Sequence, residues 1–316
     1  MLAVYIDDQL LVGQRPIPQA GPQQARIKVN LIGICNTDIE LVKGYMGFRG
    51  ILGHEFVGIV DACDDERWLG KRVVGEINLG CGSCPNCYAG MQRHCPSRSV
   101  LGILNKDGAM AEYVTLPTAN LHVVPEHIPD DVAVFTEPLA AACEIAEQVH
   151  LVPGMKTMVI GDGKLGLLIV QVLQKYGCDV SLLGRHDNKL EIARSRGATA
   201  CKKAADLPSS FDLVVEATGA SAAFSLALEK VRPRGTLVLK STYAGNLSVN
   251  MAPLVIDEIE LIGSRCGRFG PALKMLAQNE VATQNMVSEC LALSEAMSAF
   301  KLAQQPGVLK VLLKNN

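Results

Sequence analysis

The chain has 316 residues and a hydrophobic content of 48%, enough for two domains with sizeable cores. Its net charge is −2 and its basic residues are spread along the chain, which gives no sign of a nucleic-acid partner or an anionic membrane. Asp7 and Asp8 stand where a signal peptide needs a basic and then an apolar region, and no run approaches the ~18 apolar residues of a membrane span. We therefore expect a cytoplasmic protein whose eleven cysteines are reduced.

Two strand-like stretches near the N-terminus are each bordered by residues that can bind a metal or move a proton. These residues are Cys35, Thr37 and Asp38, just after the stretch ARIKVNLIG, and His54 and Glu55, at the start of the stretch GHEFVGIV. Taken singly, such a cysteine is often core filler and such a histidine is often a structural residue with satisfied hydrogen bonds. Taken together, they are candidates for a metal site.

Four cysteines follow within fifteen positions. They are Cys81, Cys84, Cys87 and Cys95, with the spacing C-x2-C-x2-C-x7-C. In a reducing compartment this density indicates a metal rather than disulfides, and either zinc or an iron–sulfur cluster takes four thiolates. A zinc site closed by four protein ligands has no open position for a substrate. We therefore predict that this site has a structural role and that the reactive centre lies elsewhere.

Further along the chain, Glu137 precedes a proline and a helical stretch. On its own it is an ordinary acidic residue at a helix N-terminus. A carboxylate can also complete a zinc site with a cysteine and a histidine, and three protein ligands leave the fourth position open for water or substrate. We predict that Cys35, His54 and Glu137 form such a site.

A glycine-rich turn lies between a strand-like and a helical stretch in KTMVIGDGKLGLLIVQVLQKYG. Gly161, Gly163 and Gly166 form G-x-G-x-x-G, in which the glycines allow the tight turn, the close approach of a pyrophosphate, and helix–strand packing. The N-terminus of the following helix offers N–H groups to the anion. Alternating strand and helix patterns continue to about residue 242, which predicts a parallel, doubly wound sheet that binds a dinucleotide.

The stretch LLGRHDNK indicates which dinucleotide is bound. An NAD site needs Asp or Glu about 20 residues past the glycines, and Gly184 stands there, followed by Arg185. A small residue makes room for a 2′-phosphate and a guanidinium can pair with it, which favours NADP over NAD. The alternative is that Arg185 is a solvated loop residue and that Asp187 holds the ribose.

These motifs together resemble the zinc-dependent alcohol dehydrogenase branch of the medium-chain dehydrogenase/reductase superfamily, over nearly the full length of the chain. The resemblance implies zinc in the four-cysteine site and a second, catalytic zinc. It also assigns the EATG stretch, residues 216–219, to the nicotinamide half of the cofactor site. The residues predicted for cofactor binding are Gly161, Gly163, Lys164, Gly166, Gly184, Arg185 and Lys310, and it is the resemblance that assigns Lys310 to the pyrophosphate.

The resemblance also implies an α/β architecture of two domains. Residues 1–138, completed by residues 271–316, would form a GroES-like β-rich catalytic domain that carries both metals. Residues 139–270 would form the Rossmann domain, with the active site in the cleft between the two. Members of the branch are expected to form homodimers or homotetramers.

The implied reaction is hydride transfer between an alcohol, or the corresponding carbonyl, and NAD(P). Thr37 would begin the proton relay and Asp38 would orient His54. Where some relatives have a relay histidine this chain has Glu40, so proton exit would run through Glu40 or water. In some relatives the glutamate after the histidine is the third zinc ligand. In this chain that residue is Glu55, which is the alternative to Glu137.

Two other functions fit parts of the sequence. A zinc-independent quinone or enone reductase of the same superfamily has no need of Cys35, His54 or the four-cysteine site. A non-catalytic NADP-binding protein would keep metal for structure only. The substrate is a small molecule; a carboxylate ligand, together with Glu76 and Asn78, favours a polyol or another hydroxylated alcohol.

Overall fold

The computed structural model describes residues 1–208, 210–242 and 248–315. The strands β1–β18 are Leu2–Ile6, Leu10–Gln14, Gln24–Gly33, Gly50–Ile51, Glu55–Cys63, Arg72–Gly75, Asn78–Leu79, Ser99–Val100, Tyr113–Pro117, Leu121–Val123, Lys156–Ile160, Asp179–Leu183, Thr199–Cys201, Phe211–Glu216, Val231–Leu239, Glu260–Gly263, Val287–Ala292 and Lys310–Lys314. The helices α1–α10 are Asn36–Val42, Pro85–Tyr88, Asp130–Ala133, Thr136–Gln148, Lys164–Lys175, Asp187–Arg194, Ser221–Lys230, Ala252–Ile256, Phe269–Ala277 and Ala296–Ala303. Every helix in these ranges is too short or too polar to span a lipid bilayer.

The chain separates into two compact units, one formed by Met1–Glu137 with Phe269–Asn316 and the other by Pro138–Arg268. The first unit is built on a mixed sheet with the order β10-β6-β5-β3-β18-β17, to which β9 adds by pairing with β3. Strand β3 alternates buried and more exposed residues along its first half and is buried at its carboxyl end, so its apolar side chains pack into the core there. The C-terminal strand β18 pairs with β3, which brings the end of the chain into the same sheet as its beginning.

The second unit is a six-stranded parallel sheet with the order β13-β12-β11-β14-β15-β16. The first strand of this unit therefore lies in the middle, and the order in which strands are added reverses there, which is the arrangement of a dinucleotide-binding sheet. Helix α5 is buried along Gly166–Leu173, because its apolar residues recur on more than one face and pack against the sheet. The doubly wound parallel sheet that the sequence predicted is confirmed.

Candidate active site

Cys35 stands at the N-terminus of helix α1, directly after strand β3. The Asp38 carboxylate, one turn into the helix, accepts a hydrogen bond from the Cys35 N–H at 2.8 Å, which satisfies one of the N–H groups that a helix start leaves unpaired. The Cys35 thiol donates to the Thr37 hydroxyl over 3.7 Å. This turn therefore fixes a sulfur and a hydroxyl side by side, and their roles as metal ligand and proton relay stay predictions.

His54 lies against the second oxygen of the same carboxylate. Its Nδ1 is 3.3 Å from Asp38 Oδ1, and both side chains are almost completely buried. The contact is within ion-pair distance, but neither atom makes a well-directed hydrogen bond to a described residue. Because Nδ1 faces Asp38, Nε2 is the nitrogen left for a metal. This contact is where the resemblance placed Asp38, and its role in orienting His54 stays a prediction.

The charged groups around His54 raise the pKa of its imidazole. Burial by itself lowers the pKa of the imidazole, but the Asp38 carboxylate and Cys35 raise it more, and the net pKa lies well above its usual value. The pocket therefore favours positive charge at this position. A divalent cation supplies that charge when it replaces the proton.

Glu55 begins strand β5 and forms a buried ion pair with Lys310 of strand β18. The two strands flank β3, and Gly33 on that middle strand makes the pair possible. A Cβ at Gly33 would collide with the Glu55 carboxylate and lie 3.3 Å from the Lys310 side chain. The Lys310 ammonium also lies 5.6 Å from the centre of the Phe135 ring. Lys310, which the sequence assigned to the cofactor pyrophosphate, thus has Glu55 as its partner in this unit.

The ligand atoms of Cys35, His54 and Glu55 lie within 4.8 Å of one another. A thiolate, an imidazole and a carboxylate are a donor set that suits zinc, and the buried Oε1 of Glu55 lacks a hydrogen-bond partner among the described residues, so it can serve as a ligand. Glu137, which the sequence favoured as the carboxylate ligand, is half-buried at the start of helix α4 and is not part of this group. Its role as a ligand stays a prediction.

Glu40, predicted to carry the proton out, lies one turn further along helix α1. Its carboxylate is 53% exposed and 2.8 Å from the Lys43 ammonium. An exposed ion pair of this kind contributes little to stability. Glu40 is therefore in contact with solvent, and its part in proton transfer stays a prediction.

The sulfur atoms of Cys81, Cys84, Cys87 and Cys95 converge in a second group that can hold a metal. The loop that carries them leaves the sheet after strand β7 and returns to it at strand β8, and these two short strands pair with each other. Hydrogen bonds from the Ser83 N–H and hydroxyl lower the pKa of the Cys81 thiol to about 6, so that it is a thiolate at neutral pH. None of the eleven cysteines, all of which lie within the described part of the chain, forms a disulfide.

The glycine-rich turn in the second unit has the geometry that its spacing predicted. Gly161 has a φ of +121°, and a Cβ at Gly166 would collide with the Gly161 carbonyl. A Cβ at Gly163 would meet no atom within 4 Å, so the chain is open at the N-terminus of helix α5. Lys164 is the first residue of that helix. This open turn fits the pyrophosphate of a dinucleotide.

The EATG stretch forms a tight turn at the carboxyl end of strand β14. The buried Glu216 carboxylate accepts hydrogen bonds from the Thr218 N–H at 2.6 Å and the Gly219 N–H at 3.1 Å. The Thr218 hydroxyl donates to the same oxygen. Glu216 therefore holds the backbone at the same edge of the parallel sheet as the glycine-rich turn.

The sequence interpretation missed one acidic residue in this unit. Asp162 lies inside the fingerprint, between Gly161 and Gly163, and its carboxylate is bound to the loop of Gly184 and Arg185. An acid at the second position of G-x-G-x-x-G was the signal that could have revealed it. The Lys310–Glu55 pair had no such signal, because 255 residues separate its members.

Comparison with known proteins gives the class of the chain. Residues 21–126 match the alcohol dehydrogenase GroES-like domain and residues 165–279 match the zinc-binding dehydrogenase family. An L-threonine 3-dehydrogenase from Anaeromyxobacter sp. (strain Fw109-5) is 31% identical, over 80% of this chain and 79% of that protein. A sorbitol dehydrogenase from Halalkalibacterium halodurans is 28% identical, over 96% of this chain and 94% of that protein.

Solved structures agree. A protein from E. coli CFT073, described as a short chain alcohol dehydrogenase and solved with NADH, has a TM-score of 0.93 at 26% identity, with 99% of each chain covered. A zinc-binding dehydrogenase from Sinorhizobium meliloti 1021, bound to NADP, has a TM-score of 0.90 at 27% identity, over 99% of this chain and 98% of that one.

The chain therefore belongs to the zinc-dependent alcohol dehydrogenase branch of the medium-chain dehydrogenase/reductase superfamily, as its motifs predicted. Its GroES-like and Rossmann folds are confirmed. The protein is an oxidoreductase that uses zinc and a nicotinamide cofactor to transfer a hydride between an alcohol and the corresponding carbonyl.

Proposed function

We propose that the protein oxidises a secondary alcohol that carries a neighbouring polar group, as in a polyol or a hydroxy-amino acid. The single observation that carries this proposal is the convergence of Cys35, His54 and a carboxylate, with Asp38 behind the histidine. The matched threonine and sorbitol dehydrogenases support the substrate class, because both act on hydroxylated compounds according to their names.

Glu76 and Asn78 are the two residues from which the sequence favoured a polar substrate. Of these, Glu76 already has hydrogen-bond partners. Glu76 accepts hydrogen bonds from the His122 ring at 3.1 Å and from the Phe269 N–H at 3.0 Å. Burial raises its pKa, but these donors lower it more, so Glu76 is ionised and structural. Asn78 keeps a buried side-chain oxygen without a partner among the described residues, which leaves it as the better candidate of the two.

The residues of the first unit account for the chemistry as follows. Bound zinc is a Lewis acid that lowers the pKa of an alcohol oxygen, while the nicotinamide accepts the hydride. Cys35 and His54 would hold the metal, and Asp38, 3.3 Å from Nδ1, would orient the imidazole so that Nε2 is presented to it. Thr37, beside Cys35, would take the alcohol proton and pass it towards solvent, with Glu40 as a further carrier.

The zinc content of two variants tests which residue is the third metal ligand. We propose a carboxylate from Glu137, as the sequence favours, or from Glu55, which the geometry brings within reach. Glu137→Gln should lower the zinc content by about one ion per chain if Glu137 is the ligand, whereas Glu55→Gln should do so if Glu55 is. The variant that keeps full zinc identifies the residue that is not a ligand.

The experiment that tests the function is a dehydrogenase screen. The purified, zinc-loaded protein would be assayed with polyols, hydroxy-amino acids and simple secondary alcohols, each with NAD and with NADP. We expect kcat/KM to be highest for a substrate with a second polar group beside the reacting carbon. Equal rates for simple secondary alcohols would contradict the proposed substrate class.

The choice of cofactor and the compartment are also proposals. Gly184 and Arg185 favour NADP by residue type, whereas the hydrogen bonds that Asp162 accepts from their loop support NAD. A reducing, cytoplasmic location is supported by the eleven cysteines, none of which forms a disulfide.

We further propose a homodimer or homotetramer built through the second unit. Strand β16, Glu260–Gly263, is at the edge of the parallel sheet and is largely exposed. Beside it in the chain, Val255 and Ile256 are 79% and 76% exposed. An open strand edge with apolar neighbours is suited to pairing with a second copy. Sedimentation would show a monomer if this assembly does not form.

A further inference from the structure

Asp162 binds the loop that follows strand β12. Its Oδ2 accepts hydrogen bonds from the Arg185 N–H at 2.7 Å and the His186 N–H at 2.8 Å, and it lies 3.0 Å from His186 Nδ1. The two N–H groups are the ones that the end of this strand would otherwise offer to a ligand. The loop predicted to receive a 2′-phosphate thus already holds an anion of the protein itself.

Gly184 explains how the carboxylate reaches this place. A Cβ at Gly184 would lie 2.5 Å from the Cβ of Asp162 and 2.8 Å from its Oδ2. The Asp162 side chain therefore occupies the volume in which a side chain at position 184 would stand. An NAD site needs an acid at that position, at the end of the second strand, to hold the ribose hydroxyl. Here the acid enters the same space from the neighbouring glycine-rich turn.

The charge on this carboxylate is well defined. Burial raises the pKa of Asp162, but the N–H groups of Arg185 and His186 and the His186 ring lower it more, so Asp162 is ionised at neutral pH. Its second oxygen, Oδ1, makes no hydrogen bond within the described residues and is free to accept one. The Arg185 side chain is exposed. Among the described residues it forms no ion pair that would hold it in position for a phosphate.

We propose that Asp162 recognises the adenosine ribose in place of the acid missing at position 184, and that the enzyme therefore selects NAD over NADP. The inference rests on the proposed function, since it requires nicotinamide binding. A carboxylate accepts a hydrogen bond from a ribose hydroxyl, whereas it repels a 2′-phosphate that carries about −1.5 to −2 charges at neutral pH. The N–H groups that could offset this repulsion are occupied by Asp162 itself.

The first test needs no variant. Dissociation constants of NADH and NADPH are measured on the wild-type protein from nucleotide fluorescence, and those of 5′-AMP and adenosine 2′,5′-bisphosphate by calorimetry. We expect NADH and 5′-AMP to bind at least about tenfold more tightly than their 2′-phosphorylated counterparts. Tighter binding of NADPH would overturn the inference and leave the proposed function standing. Binding of neither dinucleotide would overturn both.

Variants then locate the selectivity. Asp162→Ala should weaken NADH binding about tenfold and remove the preference over NADPH. The double variant Asp162→Ala/Gly184→Asp moves the acid to the usual position and should restore the preference for NADH. Gly184→Asp alone should weaken the binding of both nucleotides, because the new side chain meets Asp162. Asp187→Ala, on the same loop, should change NADH affinity less than about twofold.

The same variants give the contradicting results. A loss of NADH affinity in Asp187→Ala as large as in Asp162→Ala would assign the ribose to Asp187. A selective loss of NADPH affinity in Arg185→Ala, in a protein that prefers NADPH, would restore the NADP prediction. Melting temperatures of all variants show whether a change in nucleotide affinity comes from the loop alone or from a loss of stability. If Asp162→Ala is unstable, the double variant still tests whether an acid at this place sets the preference.

Discussion

The two metal-binding groups of the first unit are assembled in opposite ways. The four-cysteine group lies within residues 81–95, on one loop whose ends are joined by two short paired strands. The group of Cys35, His54 and Glu55 draws on a helix start, a turn and a strand, and it is supported by Lys310 from the far end of the chain. The first has three of its four thiols within seven residues, and the second needs the three neighbouring strands β5, β3 and β18.

The environments differ as much as the connectivity. Cys81 is exposed and its pKa is lowered to about 6, whereas burial raises the pKa of Cys87 in the same group to about 11. His54 and Glu55 are 3% and 1% exposed, and each lies beside a group of opposite charge. Such a buried, polarised setting strengthens electrostatic interactions, and groups perturbed in this way cluster at functional sites. The contrast fits the prediction that the four-cysteine site has a structural role and that the reaction takes place at the other site.

The largest expected effect comes from the buried group. Cys35→Ser should reduce kcat/KM by about 10³-fold or more, because the metal supplies several kcal/mol of charge stabilisation and each 1.36 kcal/mol is tenfold in rate. Zinc should fall from about two ions to about one per chain while circular dichroism stays unchanged. Cys63→Ser is the matched control in the same unit. Wild-type turnover in Cys35→Ser would remove the catalytic role from this cysteine.

Removing the cation behind Glu55 should mainly affect stability. Lys310→Met leaves a buried carboxylate without its partner and should lower the free energy of unfolding by about 3–5 kcal/mol. Lys314→Met, at the exposed end of the same strand, should change it little. The double variant Lys310→Met/Glu55→Gln should recover most of the loss in denaturant unfolding. Equal stability of Lys310→Met and wild type would show that the pair is not needed.

Substitution in the four-cysteine group should lower stability and leave activity, whereas substitution of Cys35 should lower activity and leave the fold. Cys84→Ser should lower the melting temperature by about 5–10 °C and remove about one zinc per chain, because metal binding to this loop contributes folding free energy. The remaining folded protein should keep most of its activity per active site. Cys290→Ser, an exposed single cysteine, is the control. An unchanged melting temperature and zinc content would argue against a structural metal.

The smallest effect is expected at the support of the histidine. Asp38→Asn should lower zinc affinity or kcat/KM by about 10- to 100-fold, because it weakens the orientation of His54 without removing a ligand. Titration with a zinc chelator measures the affinity directly. Glu40→Gln on the same helix should have a smaller effect, since its carboxylate is exposed to solvent. The reverse ranking would place the proton path, rather than the metal support, in control of the rate.

Much of the site was predictable because its motifs are local. The four-cysteine spacing, the C-x-T-D turn and the glycine-rich turn each involve contacts within a few residues, and the structure places their side chains as the spacing predicted. The alternation of strands and helices predicted the parallel sheet of the second unit for the same reason. Family resemblance then joined these pieces into a zinc-dependent dehydrogenase.

Contacts between distant strands were not predictable in this way. Lys310 was assigned to the cofactor on its motif alone, and its pairing with Glu55 follows from the strand order β5-β3-β18 and from the space left by Gly33. Asp162 and Gly184 are 22 positions apart, and only the parallel pairing of β11 with β12 brings their turns together.

The sequence by itself therefore determined the class of the protein, its use of zinc and its nicotinamide chemistry, because short-range spacing constrains which side chains can meet. Only the tertiary structure decided which carboxylate lies beside Cys35 and His54, and which acid fills the space at the end of the second parallel strand. The physical reason is that strand register and the volume left by a glycine place side chains across the sheet, and no local spacing encodes either of them.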